Sequence, residues 1–299
     1  PSGTAYNMPF LFKSRKAEAE REKLENTFKK LIDRHEILRT GIEIQGSEPV
    51  QRVYEPGEVD FVLENYEVAP GEEPAVLKSF ISAFDLSRPP LMRIGLLKAG
   101  ESYFLLTDFP HIIVDFISLN LLEADYLAIS EGRALPGLRI EYKDYTVWQE
   151  SGPRQAELKR QEEYWRKTLE GELPVLELPY DHPRPQHQSF EGQTVGFIMA
   201  EEGTRRMKAL AAQNQATLFM VMLAAYSALL QRISGQEDLL VGIPTAARNH
   251  ADLNNLVGMF VNTIIIRSNP CGDKPFSRFL EEVKTITLAA FENQDYPFE

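Results

Sequence analysis

Short strand-like runs alternate with amphipathic helices along both halves of this 299-residue chain, and this alternation constrains the fold more than any other feature. In the first half, residues 17–33 place Leu24, Phe28, Leu31 and Ile32 at the spacing of one helical face. Strands and helices interleaved in this way predict an α/β fold, in which helices pack on the faces of a sheet.

The same patterns predict further elements in chain order. The strand-like runs at 91–98 and 103–109 are separated by four turn-forming residues, which predicts a hairpin. The other predicted strands lie at 41–44, 51–54, 194–199, 238–243 and 262–267, and the other predicted helices at 118–129, 154–170, 202–214, 217–234 and 276–292.

A proline-rich stretch, LPYDHPRP at residues 178–185, interrupts the pattern with three prolines in eight residues. Proline removes a backbone donor and disfavours helix in the preceding residue. Because the sequence pattern also changes near it, this stretch predicts two domains, at residues 1–172 and 173–299.

Composition and missing motifs exclude several classes of function. The net charge of −12 argues against nucleic-acid binding, which depends on Lys and Arg contacts to phosphates. No apolar run approaches the roughly 20 residues needed to cross a bilayer, so no membrane partner is expected, and the charge predicts no nucleic-acid partner. A single cysteine allows no disulfide within the chain, which fits a cytoplasmic location. Cys271 is the only cysteine, and the five histidines show no metal-binding spacing. Since phosphate-loop, dinucleotide-binding, GxSxG and HExxH motifs are also missing from the sequence, we expect no metal and no directly bound cofactor.

The stretch FPHIIVDF at residues 109–116 carries the most chemical information. It follows an apolar strand and precedes a helix, a position where functional side chains are commonly placed in α/β folds. His111 can exchange a proton near neutral pH, and Asp115 stands where a carboxylate caps a helix. From this motif alone, a structural histidine and a plain helix cap remain open alternatives.

Five segments, in order, resemble the motifs of condensation domains of non-ribosomal peptide synthetases. RHEILRT at 34–40 matches RHExLRT, and PHIIVDF at 110–116 resembles HHxxxDG. Residues 142–149 resemble the family's motif YxDYAxWQ. Residues 241–248 and 257–263 resemble the paired motifs IGTPxAxR and GxFVNT, and residues 293–299 resemble HQDxPFE. The resemblance spans essentially the whole chain.

This resemblance implies two chloramphenicol-acetyltransferase-like subdomains in a V-shaped pseudo-dimer, the second apparently truncated, with a tunnel between them. Upstream and downstream peptidyl carrier proteins would deliver phosphopantetheine thioesters, next to an adenylation domain of the same assembly line. His111 would be the reactive histidine, which orients or deprotonates the attacking amine. Asp115 would form an ion pair with Arg39 that supports the site. Arg34 would also give structural support to the site.

Two residues depart from the family's motif. Pro110 replaces the first histidine and Phe116 replaces the glycine, and these two residues and Asn262 are candidates for the lining of the tunnel. The Phe116 ring would either narrow the acceptor side of the tunnel near His111 or point into the core, and the sequence leaves both positions open. These departures favour an alternative in which the chain is a non-catalytic condensation-like domain that docks carrier proteins or recruits a partner enzyme. Epimerising and cyclising relatives are further alternatives, although a cyclising relative usually carries an aspartate where this chain has Pro110.

Overall fold

The structure is a computed structural model that describes residues 3–14, 21–187, 189–190 and 192–298. Helices and strands interleave along the chain, which confirms the predicted α/β class. The helices are α1 (Arg21–Arg34), α2 (Glu73–Phe80), α3 (Phe116–Ser130), α4 (Tyr142–Gln149), α5 (Gly152–Thr168), α6 (Glu201–Gln213), α7 (Leu218–Ser234) and α8 (Phe276–Glu292). The strands are β1 (Asn7–Ser14), β2 (Thr40–Gln45), β3 (Glu48–Val53), β4 (Glu64–Val68), β5 (Arg93–Ala99), β6 (Ser102–Pro110), β7 (Leu239–Thr245) and β8 (Asn262–Ser268).

The chain divides into two compact units that differ from the domains expected from the sequence. Unit 1 comprises Pro1–Ser151 together with Arg248–Phe260, and unit 2 comprises Gly152–Ala247 together with Val261–Glu299. The first boundary therefore follows Ser151 rather than residue 172. The segment Arg248–Phe260, which the sequence assigned to the second domain, belongs to unit 1.

Unit 1 is built on a four-stranded sheet with the order β1-β6-β5-β4. The β5–β6 hairpin is the one predicted, with Arg93 opposite Asp108 and Ala99 opposite Ser102. Strand β1 pairs antiparallel with β6, and β4 pairs parallel with β5. Helices α1 and α3 supply Phe28, Leu31 and Leu122 to the core that packs with this sheet. The strands β2 and β3 form a separate hairpin in the same unit.

Unit 2 contains the antiparallel pair of strands β7 and β8 and the helices α5 to α8. Its core includes Trp165 from α5, Val221 from α7, Ile266 from β8 and Leu280 from α8. Helix α7 begins at a cap in which the Thr217 hydroxyl accepts the Met220 N–H, at 3.2 Å.

The comparison of predicted with observed elements shows one wrong strand. The run at 194–199 has no regular secondary structure, and Phe197 and Ile198 are 85% and 99% exposed there. A strand needs a hydrogen-bonding neighbour, and no described residue pairs with this run. The predictions did not include β1, β4, α2 or α4, and the first residues of the helix predicted at 17–33 lie outside the described residues.

Within the described residues, no single helix is long and apolar enough to cross a membrane. Helices α6 and α7, which meet at a bend of 104°, satisfy that test only as a pair, by length and composition.

Candidate active site

His111 lies in a tight turn between the end of β6 and the start of α3. Its backbone N–H donates to the Tyr6 carbonyl at 2.8 Å, and the Ile113 N–H donates to the Pro110 carbonyl at 3.2 Å. Ile113 and Val114 are fully buried, so they anchor the turn in the core of unit 1. The imidazole itself is only half-buried, and no side chain in the described ranges forms a hydrogen bond with it. The ring is therefore held in place through its backbone and is free to bind another group.

Asp115 caps the helix that follows this turn. Its Oδ1 accepts the Ser118 N–H at 2.7 Å, which is the helix cap that the sequence predicts. The carboxylate is buried and also accepts the Phe260 N–H on Oδ2, at 3.3 Å. It therefore does more than a plain cap, since one of its oxygens binds the segment Arg248–Phe260.

Arg248 is the cationic partner of Asp115. Its Nη2 lies 3.1 Å from both carboxylate oxygens, and both side chains are almost completely buried. Nη1 donates to the carbonyls of Leu253 and Leu256, the latter at 2.6 Å, and the guanidinium lies 4.1 Å from the centroid of the Phe260 ring. Burial lowers the pKa of Arg248, and the charge of Asp115 opposes this effect.

The expected ion pair between Asp115 and Arg39 is therefore wrong. Arg39 is buried elsewhere in unit 1, where it donates to the Tyr54 carbonyl and lies 3.6 Å from Glu36. The physical reason is the short 3₁₀ helix Glu36–Arg39, which follows α1 and leads directly into β2. Arg39 therefore binds the Tyr54 carbonyl, directly after the β2–β3 hairpin. The segment Arg248–Phe260 brings Arg248 to Asp115 instead.

Ser118 joins the same segment to α3. Its hydroxyl donates to the Gly258 carbonyl at 2.7 Å, and accepts the Gly258 N–H at 3.0 Å and Arg248 Nη2 at 2.9 Å. A Cβ atom on Gly258 would lie 2.0 Å from a ring carbon of Tyr142, so only glycine fits. The Tyr142 hydroxyl donates to the Met259 carbonyl at 2.7 Å. The turn that carries His111 is thus supported by a segment distant in sequence.

Arg34 supports the site less directly, because it ties α1 to α3. Its Nε donates to Asp125 at 2.7 Å, and the His35 ring lies 2.9 Å from the same oxygen. Burial alone would raise the pKa of Asp125, but the hydrogen bonds from His35 and Arg34 outweigh it and lower the pKa.

The two departures from the family's motif have different surroundings. Pro110 is buried at the end of β6 opposite Asn7, which argues against the tunnel-lining position expected for it. Phe116 is the first residue of α3 and is 69% exposed. Gln215 and Ala247 are the non-glycine residues with positive φ in the described part of the chain, so phenylalanine at position 116 carries no left-handed strain.

Asn262 has a structural role in unit 2. Its amide nitrogen donates to the carbonyls of Gln294 and Tyr296, each at 2.7 Å, and its oxygen accepts the Phe298 N–H at 3.3 Å. The Gln161 amide oxygen accepts the N–H groups of Asp295 and Tyr296 at 2.9 and 3.0 Å. Within unit 2, Asn262 and Gln161 therefore hold residues 294–298 in place, and the tunnel-lining role of Asn262 stays a prediction.

Sequence reasoning missed three residues that support this site: Ser118, Arg248 and Gly258. Ser118 stands three residues after Asp115, and this spacing is the available sequence signal for a hydrogen-bonded cap. Arg248 and Gly258 belong to quoted motifs, but hydrophobic periodicity gives no information on contacts between residues 133 positions apart. Among the described residues, no group of three or more His, Cys, Asp or Glu side chains could hold a metal ion.

Comparison with known proteins identifies the family. The model of the condensation domain matches residues 1–299. This chain belongs to the condensation domain family. Gramicidin S synthase 2 of Aneurinibacillus migulanus is 46% identical over 299 residues, which are 99% of this chain and 7% of that protein. Bacitracin synthase 3 of Bacillus licheniformis is 42% identical over 300 residues, which are 100% of this chain and 5% of that protein. The condensation domain thus spans a small fraction of either relative.

Solved structures share the fold of this condensation domain. The X-domain in its complex with OxyB from teicoplanin biosynthesis matches with a TM-score of 0.87 and 24% identity, over 98% of this chain and 66% of that one. AB3403, a four-domain nonribosomal peptide synthetase, matches with a TM-score of 0.86 and 22% identity, over 100% of this chain and 23% of that one. The chain therefore has the same fold as these two structures, in agreement with the fold class that the resemblance implied.

Proposed function

We propose that this condensation domain forms an amide bond between two carrier-bound substrates. The α-amine of an acceptor aminoacyl thioester attacks the carbonyl of a donor acyl or peptidyl thioester. The donor's thiol leaves, and the lengthened chain stays on the acceptor. The observation that carries this proposal is His111, whose half-buried imidazole lacks a side-chain partner in the described residues while the turn that holds it is anchored by Asp115.

His111 acts on the amine in this proposal. An α-amine has a pKa of roughly 8, so part of it is already neutral at pH 7, and a thioester is an activated acyl donor. The demand for a strong base is therefore modest. His111 orients the amine and accepts a proton as the new bond forms, while the positioning of two tethered substrates supplies much of the acceleration.

The partners follow from this chemistry. The substrates reach the site on the phosphopantetheine arms of an upstream and a downstream peptidyl carrier protein, and an adenylation domain of the same assembly line activates the amino acid. The matched relatives are large synthases, which supports an assembly-line setting. The cytoplasmic location expected from the sequence stays a prediction.

A product assay tests the proposal. The protein is mixed with one carrier loaded with an acyl thioester and a second carrier loaded with an aminoacyl thioester. Intact-protein mass spectrometry should show the acyl-aminoacyl product on the second carrier. Omission of either substrate should abolish the product.

A second candidate function is a non-catalytic domain that docks carriers or recruits an enzyme. The exposed Phe116 ring at the position of the family's glycine is the observation that favours it. The X-domain structure named above is a complex with OxyB, although at 24% identity that likeness concerns the fold. Retention of both carriers on the protein without amide product would favour this second function.

A further inference from the structure

An apolar groove in unit 1 lies next to the turn that carries His111. It has a volume of about 380 Å³ and is lined mainly by aromatic and aliphatic side chains, among them Phe10, Phe12, Leu105, Phe116, Leu119 and Leu127. Phe109, two residues before His111, and Phe116, directly after Asp115, both belong to its wall. The groove therefore reaches both ends of the His111–Asp115 turn.

The fold forms this groove from two apolar faces. Phe10 lies opposite Thr107 and Phe12 opposite Leu105, so these neighbouring residues of β1 and β6 line one side of the groove. Leu119 and Leu127 of α3 line the other side. Phe116 and Leu127 keep 69% and 46% of their surface exposed, so the packing of unit 1 leaves this apolar surface open.

The lining defines the chemistry of an occupant. Besides hydrocarbon, the groove offers polar groups of Thr107, Asn120, Glu123 and Tyr126, and no Lys, Arg or His of the described ranges lines it. An anionic group would find no cation there, and its desolvation would oppose binding. Apolar cavities of about 150 Å³ bind one benzene ring, so this volume suits a hydrocarbon group on the order of ten carbon atoms.

We propose that this groove binds the hydrocarbon part of the donor acyl group, and that Phe116 helps to select it. The inference rests on the proposed function, because that function supplies an acyl thioester whose carbonyl lies close to His111. A donor of this kind has its reactive end at the turn, and the groove starts at the same turn. Phe116 then acts as a specificity residue: it adds a wall where glycine would leave the groove open.

Direct binding tests the inference independently of catalysis. Decanoyl-pantetheine and acetyl-pantetheine, each with an unreactive amide in place of the thioester, are titrated into the whole protein by isothermal calorimetry. The decanoyl probe should bind roughly a hundredfold tighter or more, since each buried methylene adds hydrophobic free energy. Equal affinities of the two probes would overturn the inference.

Variants locate the binding site. Phe116→Ala removes a wall, and Leu127→Glu places a charge beside the hydrocarbon, so each should reduce the preference for decanoyl over acetyl by about tenfold or more. Val147→Glu is the matched control, because Val147 is an exposed apolar residue of the same unit outside the groove, and it should leave the preference unchanged. A preference that survives both groove variants would assign the decanoyl probe to another site and contradict the inference.

The product assay separates the two proposals. Amide formation without a preference for the decanoyl probe contradicts the groove and leaves the proposed function standing. A clear preference that is lost in the groove variants, without amide product from decanoyl- or acetyl-loaded carriers, supports a hydrocarbon site and contradicts the proposed function.

Discussion

Asp115 combines two interactions that stabilise the His111 turn at the scale of single residues. One is local, the cap on Ser118, and the other reaches Arg248 in a distant segment. Removal of one partner of a buried ion pair typically costs about 3–5 kcal/mol, because the remaining charge has lost its counter-ion. Only a second substitution at the residue that pairs with Asp115 should therefore compensate for the loss of the Asp115 charge.

A double-mutant cycle tests this assignment. Asp115→Asn retains a capping oxygen while it removes the charge, and Arg248→Gln removes the opposite charge. The coupling free energy between the two should be about 1–3 kcal/mol, as for residues in direct contact. Chemical denaturation of the four proteins measures it.

Arg39→Gln provides the control for that cycle. Because Arg39 binds the Tyr54 carbonyl instead, its coupling with Asp115→Asn should stay within about 0.5 kcal/mol of zero. A larger coupling of Asp115 with Arg39 than with Arg248 would contradict the ion pair described here.

At the scale of elements, Gly258 allows the segment Arg248–Phe260 to lie against α4. The Gly258 backbone binds Ser118 on α3, and the space beside its Cα is occupied by the Tyr142 ring. The site therefore depends on contacts among α3, α4 and the segment Arg248–Phe260.

Gly258→Ala should destabilise unit 1 by roughly 1–3 kcal/mol, because the new methyl group overlaps the Tyr142 ring. Thermal unfolding should show a lower midpoint for this variant. Gly137→Ala is a matched control, since Gly137 has open space around its Cα and no positive φ, and its midpoint should remain near that of the parent. Equal midpoints for both variants would refute the close approach of Gly258 to Tyr142.

Glu141 introduces a pH dependence at the start of α4. Burial and the nearby charge of Glu36 raise the pKa of Glu141 to about 7. The charges of Arg39 and Lys143 oppose this rise, and Lys143 Nζ lies 2.5 Å from a carboxylate oxygen of Glu36. The folded state thus binds the Glu141 proton more tightly than the unfolded state does. Its contribution to stability is present below about pH 4.5, and it falls as the pH rises towards 7.

Glu141→Gln should remove this loss of stability at high pH. At pH 8 the variant should be more stable than the parent by on the order of 1 kcal/mol, and near pH 5 the difference should shrink. Denaturation curves at several pH values measure the difference. A constant difference between pH 5 and pH 8 would show that Glu141 titrates normally.

At the scale of the whole molecule, the sequence predicted the elements whose signals are local. The β5–β6 hairpin and the helices α7 and α8 are confirmed, because apolar periodicity and turn residues report on neighbours in the chain. The motif pattern also indicated the family, and His111 stands in the turn that the motif implied. The strand at 194–199 and the Asp115–Arg39 pair were wrong, since pairing across a sheet or with Arg248 is decided by the tertiary fold.

The rate of amide formation in a single turnover tests the central claim, which is that His111 acts on the amine. His111→Ala should lower this rate roughly tenfold or more while the protein unfolds at an unchanged midpoint. His182→Ala, which alters an exposed histidine of unit 2, should react at the parent rate. A His111→Ala protein that forms the product as fast as the parent would contradict the account.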